Sequence, residues 1–132
     1  MRDADSLILL AEHCEQMSPG QGFDRAELFG IFRAAWPRAA FASGQACDEA
    51  RNEFFRLWES GAQIDAAMLI APPGCIYRSG HSAIAPTPRR FFCDAVTDGP
   101  HARDCHALAN TEPLARLAAF LRAHIPMEDK PT

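Results

Sequence analysis

Residues 89–125 read RRFFCDAVTDGPHARDCHALANTEPLARLAAFLRAHI, and this stretch decides the fold. In Arg89–Thr97, Phe91, Cys93, Ala95 and Thr97 alternate with Phe92, Asp94 and Val96. A period of two puts the two sets on opposite faces of one strand, each partly buried. Asp98-Gly99 reads as a hairpin turn, and His101–Leu108 reads as a weaker returning strand. Thr111 then caps a helix. Glu112 suits the positive end of its dipole, and Pro113 is tolerated in the first turn. Leu114, Leu117, Ala118, Leu121 and Ile125 recur at helical spacing and predict its buried stripe.

Working outward, Cys75–Arg78 and Ser82–Ala85 are two further short strand candidates. Pro86 and Pro88 frame the exit of the second and favour a sheet edge. Ile64–Ile70 (IDAAMLI) reads as a short helix running into a Pro72-Pro73-Gly74 turn. Upstream the chain is helical. Residues 6–17 place Leu7, Leu10, Ala11 and Cys14 on one face, with Ser6 suited to cap the start. The segment SPGQG (18–22) then breaks the chain. Asp24 and Glu27 have the spacing of a capping box, ahead of a stripe of Leu28, Ile31, Phe32 and Ala35 that Pro37 ends. Residues 45–60 predict a third helix. Ala46, Ala50, Phe54, Leu57 and Trp58 lie on one side of it, and Gly61 is its stop.

These elements make one α+β domain over 1–132. A mainly helical part spans 6–61. A helix, three strands and a closing helix span 64–125, and residues 126–132 form a frayed tail. The expected architecture is a small antiparallel sheet of 3–4 strands packed with the N-terminal helices and a C-terminal helix. The apolar fraction is 48% and the charged fraction 23%. Those values exclude a disordered chain, a collagen-like fibre and a membrane bundle. No stretch reaches the roughly 18 apolar residues of a membrane span. The N-terminus MRDAD is acidic and lacks a signal-peptide pattern, so the chain reads as cytosolic, without membrane contact.

Lys130 is the single lysine beside twelve arginines. Arg and Ala codons are GC-rich, so a GC-rich genome accounts for the bias, with selection for bidentate Arg contacts as the alternative. The formal net charge is −4, which argues against a general polyphosphate binder. It is unevenly spread, with 6 Arg against 11 acids in residues 1–65 and 6 Arg against 4 acids in residues 70–125.

Several residue groups are candidates for chemistry. Cys93, His101, Cys105 and His106 carry the donor types that zinc prefers. They lack a Cys-x-x-Cys or paired-His unit, and Cys105 and His106 should face opposite sides of a strand. Cys75 and His81 are the best nucleophile–base pair available, though no third group orients them. The SPGQG segment lacks the pattern and the preceding strand of a phosphate-binding loop. Tyr77, Arg78, His81, Arg89, Arg90 and Phe92 mix guanidinium with aromatic rings. That mixture suits a protein interface, a nucleic-acid contact or simply a solvated sheet edge. Asp3, Asp5, Glu12, Glu15, Asp48, Glu49, Glu53 and Glu59 form an acidic set, read as a solvated face or as a mimic of nucleic-acid charge. Phe29, Phe41, Phe55 and Phe120 exceed what single-sided stripes need, so a homodimer burying some of them is one expectation.

The order IDAAMLIAPPG, CIYRSGHSAI, RRFFCDAV and ANTEPLARLAAFLRA resembles small phage and prophage proteins of the alpha-beta-alpha sandwich type, over residues 64–125. The resemblance implies an α-β-α layered domain of phage or prophage origin in a bacterial host cytosol. It implies no catalytic residues and no cofactor. The function it implies is a non-enzymatic accessory protein that binds a host macromolecule, most naturally a host protein, with inhibition of a host defence system as the natural version. Two alternatives come from the residues themselves. One is a small metal- or thiol-dependent protein using Cys93, His101, Cys105 and His106. The other is a nucleic-acid accessory protein using the arginine–aromatic segment 77–92.

Overall fold

The computed structural model describes residues 4–18, 20–81, 90–98 and 102–126. Five helices and three strands follow in the order α1 (Ala4–Gln16), α2 (Arg25–Ala35), α3 (Gly44–Glu59), α4 (Gln63–Met68), β1 (Ile76–His81), β2 (Phe91–Val96), β3 (Asp104–Ala109) and α5 (Glu112–Ala123), with a single 3-10 turn at Arg38–Ala40. The architecture is α+β, with a small antiparallel sheet in the order β1-β2-β3 and a C-terminal helix packed on it. Among the described residues no helix is long and apolar enough to cross a membrane.

The local signals act largely as expected. Asp24 accepts from Glu27 N at 2.8 Å and Glu27 Oε1 accepts from Asp24 N at 3.1 Å, a complete capping box. Thr111 Oγ1 accepts from Leu114 N. Gly61 adopts φ +94 just past α3, the left-handed geometry that lets a helix stop there. Gly74 has φ +74, and Cys75 N donates to Pro72 O. The Pro-Pro-Gly segment is thus a tight turn with glycine at the position that demands positive φ.

Three expectations change at their boundaries. The first helix runs from Ala4, so Ser6 lies inside its first turn and does not cap it. The third begins at Gly44 because Ser43 Oγ accepts from Ala46 N, a cap one residue upstream of the apolar pattern. The β2–β3 connection is longer than the two-residue Asp98-Gly99 turn. Thr97 N donates to Arg103 O and Arg103 N donates to Thr97 Oγ1, so these two residues close the connection and β3 starts at Asp104, not His101. The strand candidate Ser82–Ala85 and the tail from Met127 lie outside the described residues.

Helix α5 is the centre of the molecule. Eight of its twelve residues are buried, on all sides and not along one stripe. One side meets the sheet and another meets α1 and α4. The sheet face beneath it is built from Cys93, Ala95, Cys105, Ala107 and Ala109, all buried. Small side chains there let the helix backbone approach closely, and Ala115, Ala118 and Ala119 do the same from the other side. Helices α2 and α3 lie beyond this layer. The helices in contact with the sheet are α5, which meets all three strands, and α1, which meets β3.

The free edge of β3 is occupied by side chains. Glu15 of α1 accepts from Leu108 N at 3.1 Å, and Arg122 of α5 donates to His106 O at 2.9 Å. Glu15 and Arg122 also pair with each other. A β-edge that would otherwise offer its backbone to another chain is thereby capped by one ion pair. Three of the four supposedly surplus phenylalanines have internal partners. Phe120 and Phe55 are buried, and Phe41 stacks on Phe32 with ring centroids 6.0 Å apart. Only Phe29 is exposed, so the homodimer expected from these four rings lacks most of its basis.

Glu15→Ala should destabilise the fold by about 2 kcal/mol, the scale for losing a charge-assisted bond to a part-buried backbone group. Glu12→Ala, on the exposed side of α1, should stay within about 0.5 kcal/mol. Urea-unfolding midpoints of the two variants check this.

Candidate functional site

With α5 on the inner face, the other face of the sheet carries Ile76, Arg78 and Gly80 from β1, Phe92, Asp94 and Val96 from β2, and Asp104, His106 and Leu108 from β3. The antiparallel register sets them in three cross-strand rows. They are Ile76–Val96–Asp104, Arg78–Asp94–His106 and Gly80–Phe92–Leu108. A charged row thus runs across the middle of an otherwise largely apolar face.

The middle row is one hydrogen-bonded unit. Asp94 Oδ1 sits 2.5 Å from His106 Nδ1, and Asp94 Oδ2 accepts from Arg78 Nε at 3.2 Å. The Asp94 side chain is only 16% exposed, whereas Arg78 and His106 are 82% and 56% exposed. The carboxylate is therefore the fixed centre and the two cation-capable groups are its exposed arms. The bond from His106 holds the Asp94 carboxyl below its ordinary pKa. Partial burial opposes this, and the bond from Arg78 reinforces it. Arg78 engages Asp94 through Nε, and among the described residues its two terminal nitrogens have no hydrogen-bond partner, which suits a planar, bidentate acceptor. With Nδ1 turned to Asp94, the other ring nitrogen of His106 faces away from it.

The apolar rows frame this unit. A side chain at position 80 would meet the Phe92 ring at 3.3 Å, so Gly80 is the space over which that ring lies. Ile76 is 70% exposed. A shallow depression of about 290 Å³ is lined by Ile76, Tyr77, Arg78, Asp94, Val96 and Asp104. None of the nine residues of this face is Ser, Thr or Cys. Among the described residues of the sheet, none of these three types stands in the row of Asp94 and His106.

The structure divides the arginine–aromatic group. Arg78 and Phe92 share the outer face. Tyr77 belongs to the inner side, with its ring edge-on to Phe120 at 5.6 Å and the Arg116 guanidinium 4.9 Å from its centroid. His81 packs against Phe91 at 5.2 Å on that same side. Arg90 is exposed just before β2, and Arg89 lies outside the described residues. The described members of the group thus do not share one face, because adjacent residues of a strand point to opposite faces.

The cysteine and histidine candidates are divided in the same way. Cys93 and Cys105 are buried beneath α5, whereas His106 is on the outer face, so one ion cannot meet all three. His101 lies outside the described residues. Among the described residues no three His, Cys, Asp or Glu side chains group as a metal site. Burial pushes the Cys93 thiol up to about 12 and raises Cys75 and Cys105, which disfavours the thiolate needed for ligation or attack. Cys75 and His81 stand at opposite ends of β1, on the order of 20 Å apart for an extended strand. They do not form a nucleophile–base pair.

Much of the acidic set is committed to internal contacts. Glu15 holds the β3 edge, Glu53 pairs with Arg56, Glu59 pairs with Arg25, and Asp48 lies 3.5 Å from Arg51. Glu49 accepts from Gln45. Asp5 and Glu12 are exposed on α1, and Asp3 lies outside the described residues.

Scans against protein-family models, curated proteins and solved structures find no match to this chain. The phage-type resemblance therefore stands on the residues of 64–125 alone.

Asp94→Asn should melt a few degrees below the wild type near neutral pH. The Asp94 pKa is depressed by folding, so its contribution is present above the unfolded value of about 4 and is lost as pH falls through the lower folded value. The gap between the two proteins should close in acid. Thermal melts across pH check this, and a constant gap would mean that folding does not lower the Asp94 pKa.

Proposed function

We propose that this chain is a non-enzymatic binding protein that acts by covering a surface of a protein partner, with the outer face of its sheet as the contact. The observation that carries the reading is the row Arg78–Asp94–His106, fixed at its centre, exposed at both arms and bordered by Ile76, Val96, Phe92 and Leu108. An arginine beside apolar and aromatic side chains is the composition that dominates binding energy at protein interfaces. Its terminal guanidinium nitrogens call for a carboxylate on the partner, and Ile76 calls for an apolar neighbour to it.

The resemblance to phage and prophage proteins supplies the context. The partner is a host protein in a bacterial cytosol, and occlusion of a host defence component is the form of action. The placement of Tyr77 and His81 away from Arg78 and Phe92 favours a protein partner over a nucleic acid, because the described basic and aromatic groups do not line up on one face as a track for phosphates and bases.

The test is capture of partners from a host lysate by three tagged proteins. They are the wild type, a double variant Arg78→Ala with Ile76→Ser, and a control Glu49→Arg on α3. One protein should be captured stoichiometrically by the wild type and the control. The double variant should retain it at least about ten-fold more weakly, the scale of an interface hot spot. Capture that survives the double substitution, or capture of nucleic acid alone with steep salt dependence, would overturn the reading.

A further inference from the structure

The two edges of the sheet are treated differently. The β3 edge is closed by Glu15 and Arg122. The β1 edge has no such cover among the described residues. The phase of the ladder shows which β1 groups face outward. Thr97 N donates to Arg103 O, and Leu108 N and His106 O turn away from β2. In an antiparallel sheet the bonding direction alternates residue by residue. Phe92, Asp94 and Val96 therefore bond toward β1, to Gly80, Arg78 and Ile76. The N–H and C=O groups of Tyr77, Ser79 and His81 point out of the sheet edge, and none has a backbone partner among the described residues.

We propose that β1 is a homodimer edge, on which a second copy of this chain pairs its own β1 antiparallel about a two-fold axis through Ser79. The register is self-complementary. Ser79 faces Ser79 of the second copy, and Tyr77 faces His81 of the second copy. These are the residues whose backbone groups have no partner among the described residues, so every added pair exchanges both of its hydrogen bonds. On the outer face Arg78 comes opposite Gly80 of the second copy, over which that copy's Phe92 ring lies. The two Arg78 side chains lie on a diagonal about 7–8 Å apart, each beside its own Asp94. On the inner face, α5 sits over β2 and β3 more than over β1. Assembly stops at two copies because the outer edge of each half is a β3 strand, already bound by Glu15 and Arg122. The product is a six-stranded sheet with both helical layers on one side.

This inference does not rest on the partner-binding reading, since it uses the edge of the sheet and not its outer face. It also differs from a dimer made by the phenylalanines, which are mostly buried within one chain.

Two variants of the full chain test it. Ser79→Pro deletes an N–H that points away from β2, so the β1–β2 ladder keeps its bonds while the new pairing loses two central ones. In sedimentation equilibrium the wild type should be dimeric and Ser79→Pro monomeric, with unchanged helical circular dichroism. Ser79→Cys places two thiols across the two-fold axis at the roughly 5.5 Å Cα separation of a bonded antiparallel pair, within the span of a disulfide. Mild oxidation should then give a covalent dimer in high yield, and the wild type, whose described cysteines are buried or half-buried, should give none. A wild type that is monomeric at every concentration, a Ser79→Pro variant that remains dimeric, or a Ser79→Cys variant that does not cross-link would overturn the proposal. The cross-linking result decides the matter even if Ser79→Pro fails to fold.

Discussion

Helix α5 resting on Cys93, Ala95, Cys105, Ala107 and Ala109 is the contact on which everything else depends. The sheet has three short strands, and among the described residues only one of its faces is covered by a helix, so its stability comes from this interface. Small side chains on both sides bring the backbones close and pack many weakly attractive atoms together. Larger residues surround the patch instead of filling it. Leu114, Leu117, Phe120 and Leu121 extend from α5 toward the neighbouring helices and β1. One helix thereby serves as the core of two layers, which explains why it is buried almost all round.

The polar groups near this core hold the other elements in register with it. His124 donates from Nε2 to Ile70 O at 2.6 Å, and Trp36 Nε1 donates to Leu69 O at 2.8 Å. Both tie the end of α4 to its neighbours, α5 and α2. Asn110 donates to Met17 O, joining the end of α1 to the start of α5. At the molecular surface His13–Glu27 and Arg25–Glu59 link successive helices, but exposed pairs of that kind contribute little. The buried bonds to backbone carbonyls matter more, because losing either partner strands a group away from water.

The helices were legible because their signals are local. Asp24 with Glu27, Thr111 before Pro113, and Gly61 after an apolar stripe each act within a few residues. The alternation in 91–97 was legible for the same reason, and it separates Cys93 and Ala95 from Asp94 and Val96 correctly. The pairing of strands was not legible. Arg78, Asp94 and His106 lie far apart in sequence, and only the lengths of the two connections bring them into one row. A turn read at Asp98-Gly99 would have shifted that register, whereas Thr97 and Arg103 set it. The role of Glu15 was equally hidden, since a carboxylate on the rim of an amphipathic helix reads as solvated until a strand edge is placed beside it. Tyr77 and Phe92 were grouped by proximity along the chain, although parity in a strand sends them to opposite faces.

Arg103 ties two ends of the molecule together. Its backbone closes the loop between β2 and β3, while its guanidinium donates to Ile125 O at 2.5 Å and reaches Ala123 O at the C-terminal end of α5. The last carbonyls of the helix are thus satisfied by the residue that opens the final strand. Fraying of the helix end then pulls on the hairpin, and slippage of the hairpin leaves the helix end bare. The two cannot open separately, so the C-terminal part of the chain behaves as one cooperative unit in slow solvent exchange.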